Sequence, residues 1–268
     1  MNYHIILVAV CSAFIASVSA SRSACGGVVF VDEDAVVIDA PTGDDCVWKI
    51  ETETDRILAF SAVGGGSFEQ LDEFLNIHDG LVQGSPILFA KDQQQEIVYT
   101  TQSTAEIKFK KSPRTTSDRQ LQLKIQKAVI CPTDLGLESN CTRLVDDVSC
   151  HCASFTKRNQ TEQKSFCEDN GMLLVSIETP EEDQAISDTW GLGSDFWTSC
   201  IKNFGRWVWE ATGKNLYPGY VNWYPIAEPF CNDQWDANYT CMLIGYNGLH
   251  WASYHCDGVW GAVCELHP

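Results

Sequence analysis

Hydrophobic and polar residues alternate with a period of two in the first half of the chain. Between residues 25 and 128, three segments place apolar side chains at every second position, around Trp48, Ile107 and Leu123. Such alternation is typical of strands with one buried face and one face in water. Turn-forming residues, such as those at 41–44, separate the segments. This half is therefore predicted to be a sandwich of short β-strands.

Helical signals join the strand pattern in the second half. Residues 159–170 predict a helix that ends at Asn170-Gly171. Thr179-Pro180-Glu181-Glu182 predicts the start of another helix, because it is a capping box with proline at the first helical position. The apolar run 173–177 predicts a buried strand between them. We therefore expect an α+β domain here.

Residues 1–20 predict a secretory signal peptide. An apolar stretch from Ile5 to Val18 leads into Val18-Ser19-Ala20, small residues of the kind found at signal cleavage sites. The stretch is shorter than the ~20 apolar residues that span a bilayer. Since no later segment approaches that length, we expect a secreted, extracellular protein without a membrane anchor.

Composition narrows the possible partners. The chain has 268 residues, with 36 acidic against 18 basic side chains and a formal charge of −18. This charge argues against nucleic acid as a partner, because phosphates are neutralised by lysine and arginine. The metalloprotease, serine-hydrolase and phosphate-loop motifs are missing from the sequence, which favours a binding protein over an enzyme.

Cysteine spacing indicates two disulfide-braced domains. Because Cys11 lies in the predicted signal peptide, 12 of the 13 cysteines remain, enough for six disulfides in an oxidising compartment. The ten after residue 130 are Cys131, Cys141, Cys150, Cys152, Cys167, Cys200, Cys231, Cys241, Cys256 and Cys264. We expect domains at 21–129 and 130–268. Cys150-His151-Cys152 also resembles a metal-ligand cluster, but zinc would need thiolates kept reduced, so disulfides are the expectation.

The first domain resembles a CUB domain, an all-β sandwich used in extracellular recognition. The resemblance rests on Cys25-Gly26-Gly27, Cys46-Val47-Trp48-Lys49-Ile50 and Phe74–Gly80. Two features depart from the family: its second disulfide is missing, and its calcium-binding acids are reduced to Glu73 with Asp72 beside it. The resemblance therefore implies a structural or protein-contact domain.

The second domain resembles a C-type lectin-like domain. After the two predicted helices, its landmarks follow in family order: Phe196-Trp197, Trp207-Val208-Trp209, Val221-Asn222-Trp223, Cys241, Trp251, Cys256 and Cys264-Glu265. The resemblance implies disulfides Cys167–Cys264 and Cys241–Cys256, and a bridge from Cys131 to either Cys141 or Cys150. It also implies that Cys150, Cys152, Cys200 and Cys231 are mostly additions to the family plan. We expect bridges that tie the long loop, which contains Cys231, to the scaffold.

The resemblance also implies a ligand-binding face at the long loop. Sugar-binding members hold Ca²⁺ with an E-P-N or Q-P-D motif, a later glutamate and an asparagine-aspartate pair after a tryptophan. Here Glu228-Pro229-Phe230, Tyr239 and Trp251-Ala252-Ser253 stand at these positions. Only Glu228 keeps a strong ligand group, although Asp233 and Asp236 nearby could hold a cation in another geometry. Conventional Ca²⁺-dependent sugar binding, and any other cofactor, is therefore not expected.

A glycan or an extracellular protein is the expected ligand. The residues expected to contact it are Glu228, Pro229, Phe230, Trp235 and Trp251. Aromatic faces can stack on sugar rings, which favours a glycan, and a protein-binding or structural module is the alternative. The resemblance further implies a role in innate defence, because two-domain proteins of this kind in invertebrates are commonly linked to it.

Three sequons predict surface glycans. They begin at Asn140, Asn159 and Asn238.

Overall fold

The computed structural model describes residues 25–41, 45–63, 68, 74–88, 96–110, 122–191, 193–224, 239–246 and 250–268. The predicted signal peptide lies outside these residues. So do the loop residues Glu228, Pro229, Phe230, Cys231, Asp233, Trp235, Asp236 and Asn238.

Two four-stranded sheets form an N-terminal sandwich, as the alternation predicts. The strands are β1 (Gly27–Phe30), β2 (Val36–Asp39), β3 (Cys46–Glu51), β4 (Ile57–Ala62), β5 (Leu75–Asp79), β6 (Ile97–Tyr99), β7 (Thr104–Phe109) and β8 (Gln122–Ala128). Their orders are β1-β3-β7-β5 and β2-β8-β4-β6. The apolar faces enclose one core, in which the rings of Trp48 and Phe109 pack edge to face at 5.5 Å.

The C-terminal module is built on a nine-stranded sheet. Its elements are β9 (Ser139–Thr142), β10 (Cys150–Arg158), α1 (Gln160–Asp169), β11 (Leu173–Leu174), α2 (Pro180–Trp190), β12 (Phe196–Asn203), β13 (Arg206–Trp209), β14 (Lys214–Asn215), β15 (Tyr239–Tyr246), β16 (His250–His255) and β17 (Trp260–Leu266). The main path runs β14-β13-β12-β17-β10-β9, and the β15–β16 hairpin joins it at β12. β17 lies beside both β10 and β12, so it holds the module together.

Both helices begin at the residues that the sequence predicts. Asn159 caps α1 in a full capping box, since its Oδ1 accepts from the Glu162 amide while Glu162 accepts from the Asn159 amide. At α2 the box predicted for Thr179 is only half formed. Thr179 accepts from the Glu182 amide, but Glu182 Oε2 accepts from the Glu178 amide instead of that of Thr179.

A packed junction joins the sandwich to the C-terminal module. Ile57, Ala59 and Ala128 of the sandwich bury apolar surface together with Val148. The Arg143 guanidinium lies 4.4 Å from the Tyr99 ring centroid and donates to the carbonyls of Val129 (2.6 Å) and Val148 (2.7 Å). The Tyr99 hydroxyl donates to the Asp147 carbonyl at 2.8 Å. The two parts are therefore connected by side-chain packing as well as by the chain.

The described residues form five disulfides: Cys25–Cys46, Cys131–Cys150, Cys141–Cys152, Cys167–Cys264 and Cys241–Cys256. The last two are those that the family resemblance implies. Of the two partners left open for Cys131, the structure has Cys150. Within the described part of the chain, no helix is long and apolar enough to cross a membrane.

The disulfide predicted for Cys200 is wrong in this structure. Cys200 is a free thiol on β12, fully buried opposite Trp209 in the core. Its side chain packs in the same core cluster as Met242 and Trp251, which places it away from the surface. Cys231, the other cysteine expected in a bridge to the long loop, lies outside the described residues.

Cys200 is expected to resist alkylation in the native protein. Burial excludes the reagent and raises the pKa of the Cys200 thiol, which disfavours the reactive thiolate. After unfolding without reduction, peptide mapping should find label on Cys200 and none on the ten bridged cysteines. An unlabelled Cys200 in the unfolded, unreduced protein would restore the six-disulfide prediction.

Candidate functional site

The β15–β16 hairpin supports the long loop, and Trp251 lies in its buried face. Trp251 is fully buried, and the rings of Trp209, Tyr220 and Trp223 pack edge-on against it with centroids 5.4–5.9 Å away. The prediction that Trp251 contacts a ligand is therefore wrong. An indole enclosed by other aromatic side chains has no face open for a sugar.

Ala252 and Ser253, which follow Trp251, provide few ligand atoms for a cation. Ala252 is 4% exposed, and Ser253 is half-buried on the opposite side of the strand. A methyl group and one hydroxyl therefore stand where the sugar-binding pattern places an amide and a carboxylate. Ca²⁺ prefers six to eight oxygen ligands, largely from carboxylates, carbonyls and water.

Asp183 is the polar centre beneath the loop. Its carboxylate is 3% exposed and accepts from the Tyr220 hydroxyl (2.8 Å), the Asn222 amide (2.7 Å) and the Trp251 indole (3.1 Å). Burial and the Asp183 charge raise the pKa of Tyr220, so this hydroxyl remains a donor at physiological pH. Asn222 Oδ1 in turn lies 3.2 Å from His250 Nδ1. This network, here called the Asp183 network, fastens the start of the loop to α2.

The sequence carries one signal for the role of Asp183. Asp183 follows Pro180 in the first turn of α2, where the helix dipole favours a carboxylate. It also shares the buried face of that helix with Ile186 and Trp190 at helical spacing. An acid on an apolar face indicates a satisfied buried acceptor, because an unpaired charge is costly there.

The other predicted contacts remain predictions. Glu228, Pro229, Phe230, Trp235, Asp233 and Asp236 belong to the segment outside the described residues. In sequence, this segment is preceded by the described residue Tyr224 and followed by the strand β15. The structure therefore describes the residues on either side of the long loop.

A surface groove of about 630 Å³ runs beside α1. Lys157 and Arg158 line it together with the acids Glu162 and Asp169, so it has no dominant charge. Within its lining, the Arg158 guanidinium lies 4.5 Å from the Phe166 ring centroid.

The comparisons with known proteins point to one family. Residues 156–266 match the family model of the lectin C-type domain. A comparison with curated proteins finds no match. The chain is similar to the human scavenger receptor C-type lectin carbohydrate-recognition domain, with 25% identity and a TM-score of 0.40 over 48% of this chain and 96% of that one.

Two further solved structures are similar to part of this chain. A calcium-independent type II antifreeze protein shares 20% identity, with a TM-score of 0.41, over 52% of this chain and 95% of that one. The C-type lectin domain of murine dendritic cell inhibitory receptor 2, solved with an N-glycan, shares 17% identity, with a TM-score of 0.37, over 44% and 91%. Taken with the helices, strands and disulfides described above, the family match shows that residues 156–266 are a C-type lectin domain.

Proposed function

We propose that this chain is an extracellular recognition protein whose C-type lectin domain binds a glycan or protein ligand without conventional Ca²⁺ coordination. The observation that carries the proposal is the pair Ala252 and Ser253 on β16, where a cation site of the sugar-binding kind needs amide and carboxylate oxygens. A buried methyl group supplies no ligand atom.

The Asp183 network supports the same conclusion. Its three hydrogen bonds link Tyr220, Asn222 and Trp251 to α2 through protein atoms alone. Hydrogen bonds to a buried carboxylate contribute more to stability than bonds between neutral groups. The start of the long loop is therefore held to α2 by hydrogen bonds to Asp183.

Secretion and a two-domain organisation complete the proposal. Residues 1–20 act as a signal peptide, 21–129 form a CUB-like contact domain, and 130–268 form the lectin-like domain. Five disulfides support an oxidising, extracellular location. A role in innate defence follows from the family resemblance.

Glycosylation fits the geometry of two sequons. Asn159 caps α1 through Oδ1, and exposed Asn140 accepts from the Trp190 indole through Oδ1 at 3.1 Å. In both residues the oxygen makes the hydrogen bond, and the amide nitrogen is the atom to which a glycan is attached. Asn238 is the third proposed acceptor.

Ligand binding is expected to be independent of calcium. Metal-stripped protein should give the same glycan-array profile with and without millimolar CaCl₂. The Tm of the lectin domain should agree within about 1 °C between the two conditions, because a ligand that does not bind the native state does not stabilise it. An array without any bound glycan would instead support the protein-binding alternative.

Glu228→Gln provides the control for this experiment. A calcium-induced rise in Tm of about 5 °C or more would mean that the ion binds tightly, and it would contradict the proposal. If Glu228→Gln also abolished the rise, the long loop would be a conventional calcium site. Asp188→Asn, on the exposed face of α2, should change neither result.

A further inference from the structure

The hairpin between β12 and β13 ends in a two-residue turn whose first residue is a phenylalanine. Asn203 pairs with Arg206, which leaves Phe204 and Gly205 as the turn residues. Their φ angles are 47° and 77°. Two positive φ angles are characteristic of a type I′ turn, in which asparagine followed by glycine is preferred. Gly205 fits this turn, whereas a bulky side chain at the position of Phe204 is an outlier.

The Phe204 side chain adds nothing to the core that would explain its place in this turn. Phe204 is 99% exposed, so its ring buries almost no apolar surface in the fold. Residues with a side chain are disfavoured at positive φ, because Cβ crowds the following carbonyl oxygen. Folding alone therefore explains neither the strain nor the exposure. Backbone strain is found most often at sites that contact ligands, and an exposed aromatic ring suits such a contact.

Tyr217 places a second aromatic ring beside this turn. The β13–β14 ladder continues past the ends of its strands, since the Leu216 amide donates to the Trp207 carbonyl at 2.9 Å. This register puts Tyr217 opposite Arg206. Tyr217 is 45% exposed, and its hydroxyl accepts from the Trp223 indole at 2.9 Å. Tyr217 therefore connects the turn to the start of the long loop.

The hairpin is cationic in an otherwise acidic chain. The whole chain carries 36 acidic and 18 basic side chains, yet residues 196–209 contain Lys202 and Arg206 and no acid. Arg206 lies opposite Asn203, one position along the strand from Lys202, so the two bases point to opposite faces of the hairpin. Arg206 is exposed and Lys202 is half-buried. Positive charge on both faces of the turn favours an anionic ligand.

We propose that Phe204, Arg206 and Tyr217, here called the aromatic tip, bind an acidic glycan whose sugar rings carry sulfate or carboxylate groups. This inference rests on the proposed function and names a ligand class for the same domain. Aromatic faces stack on the apolar faces of sugar rings, and a guanidinium forms paired hydrogen bonds with the oxygens of an anionic group. An acidic glycan presents these two features side by side, as the tip presents its aromatic rings and Arg206.

Other ligands match the aromatic tip less well. A neutral glycan would use the rings of Phe204 and Tyr217 and leave the cationic hairpin without a role. An anionic membrane would meet the whole surface of a chain with a formal charge of −18, which repels it. An oligosaccharide is small enough to contact the tip alone, so it avoids most of that repulsion.

Binding of size-matched oligosaccharides to the metal-stripped, full-length chain tests the proposal. Heparin fragments carry sulfates and carboxylates, hyaluronan fragments carry carboxylates only, and maltodextrins are neutral. Heparin fragments should bind without calcium, and their affinity should fall at least ~5-fold between about 0.05 and 0.5 M NaCl, because salt screens exposed charges. Hyaluronan binding of similar strength would assign the recognition to carboxylates, and its failure to bind would assign it to sulfates. Maltodextrins should not bind.

Variants of the tip separate ligand contact from a structural role. Phe204→Asn should weaken heparin binding about 10-fold, because an exposed aromatic anchor is lost. It should not lower the Tm of the lectin domain, since asparagine is preferred in this turn. Arg206→Gln should also weaken binding about 10-fold and reduce its salt dependence. Leu137→Asn alters another turn residue, 97% exposed, and Lys157→Gln removes an exposed base elsewhere in the domain; both should bind heparin like the wild type.

The inference is overturned if Phe204→Asn and Arg206→Gln both bind heparin like the wild type, or if maltodextrins bind as tightly. Vesicles of equal parts phosphatidylserine and phosphatidylcholine provide the membrane comparison. Vesicle binding that depends on Phe204, without binding of either acidic glycan, would make the tip a membrane contact and overturn the inference. Binding of neutral glycans alone would overturn this inference and leave the proposed function standing. Calcium-dependent binding through Glu228 would contradict the proposed function instead.

Discussion

Asp183→Ala is expected to lower the free energy of unfolding of the lectin domain by about 3–5 kcal/mol. Three buried donors, on Tyr220, Asn222 and Trp251, would lose their acceptor. Each unsatisfied buried group costs about 1–3 kcal/mol. Calorimetry should show the loss as a lower Tm for the domain, and the near-ultraviolet signal of Trp251 should change with it.

Two substitutions control this prediction. Asp188→Ala removes an exposed carboxylate from the same helix, where its described bond is to Gln184 Nε2, and should change stability by less than about 0.5 kcal/mol. Asp183→Asn keeps the shape and one acceptor oxygen, so its effect should lie between the two. A loss below about 1 kcal/mol for Asp183→Ala would mean that water replaces the carboxylate without cost.

Removal of the Cys167–Cys264 disulfide is expected to cost about 4–5 kcal/mol. This bond closes a sequence separation of 97 residues, so its loss frees far more of the unfolded chain than the loss of a short bridge. The variant Cys167→Ala/Cys264→Ala should therefore unfold at a much lower urea concentration than the wild type.

Cys141–Cys152 is the matched comparison, because it closes a separation of only 11 residues in the same module. The variant Cys141→Ala/Cys152→Ala should lose about 3 kcal/mol by the same chain-entropy argument. Equal losses, or the reverse order, would show that native-state packing around the sulfurs decides the effect. The denaturant slopes of both variants must match the wild type for the comparison to hold.

Much of the architecture could be predicted because it is encoded locally. The buried positions of β3 and β7 follow from strict alternation around Trp48 and Ile107. The helix starts follow from the side-chain oxygens of Asn159 and Thr179, which accept from backbone amides within the next turn.

The polar clusters could not be predicted because they join distant parts of the chain. Asp183 and Trp251 are 68 residues apart in sequence and meet only because α2 packs against β16. For Trp251 the aromatic ring suggested a ligand contact, whereas the fold uses the same ring as core. His151 stands between two cysteines in the sequence, whereas the carboxylates near it in the fold come from α2 and β17.

The junction around Arg143 has a consequence for avidity. When two binding modules are joined by a flexible linker, the effective concentration of the second is set by linker length. Here the guanidinium of Arg143 spans the Tyr99 ring and two backbone carbonyls, so the modules meet through packed side chains. For the proposed recognition function, effective concentration would then depend on the geometry of this junction more than on linker length. A target whose two epitopes match that geometry would gain more from bivalent binding than a target with another spacing.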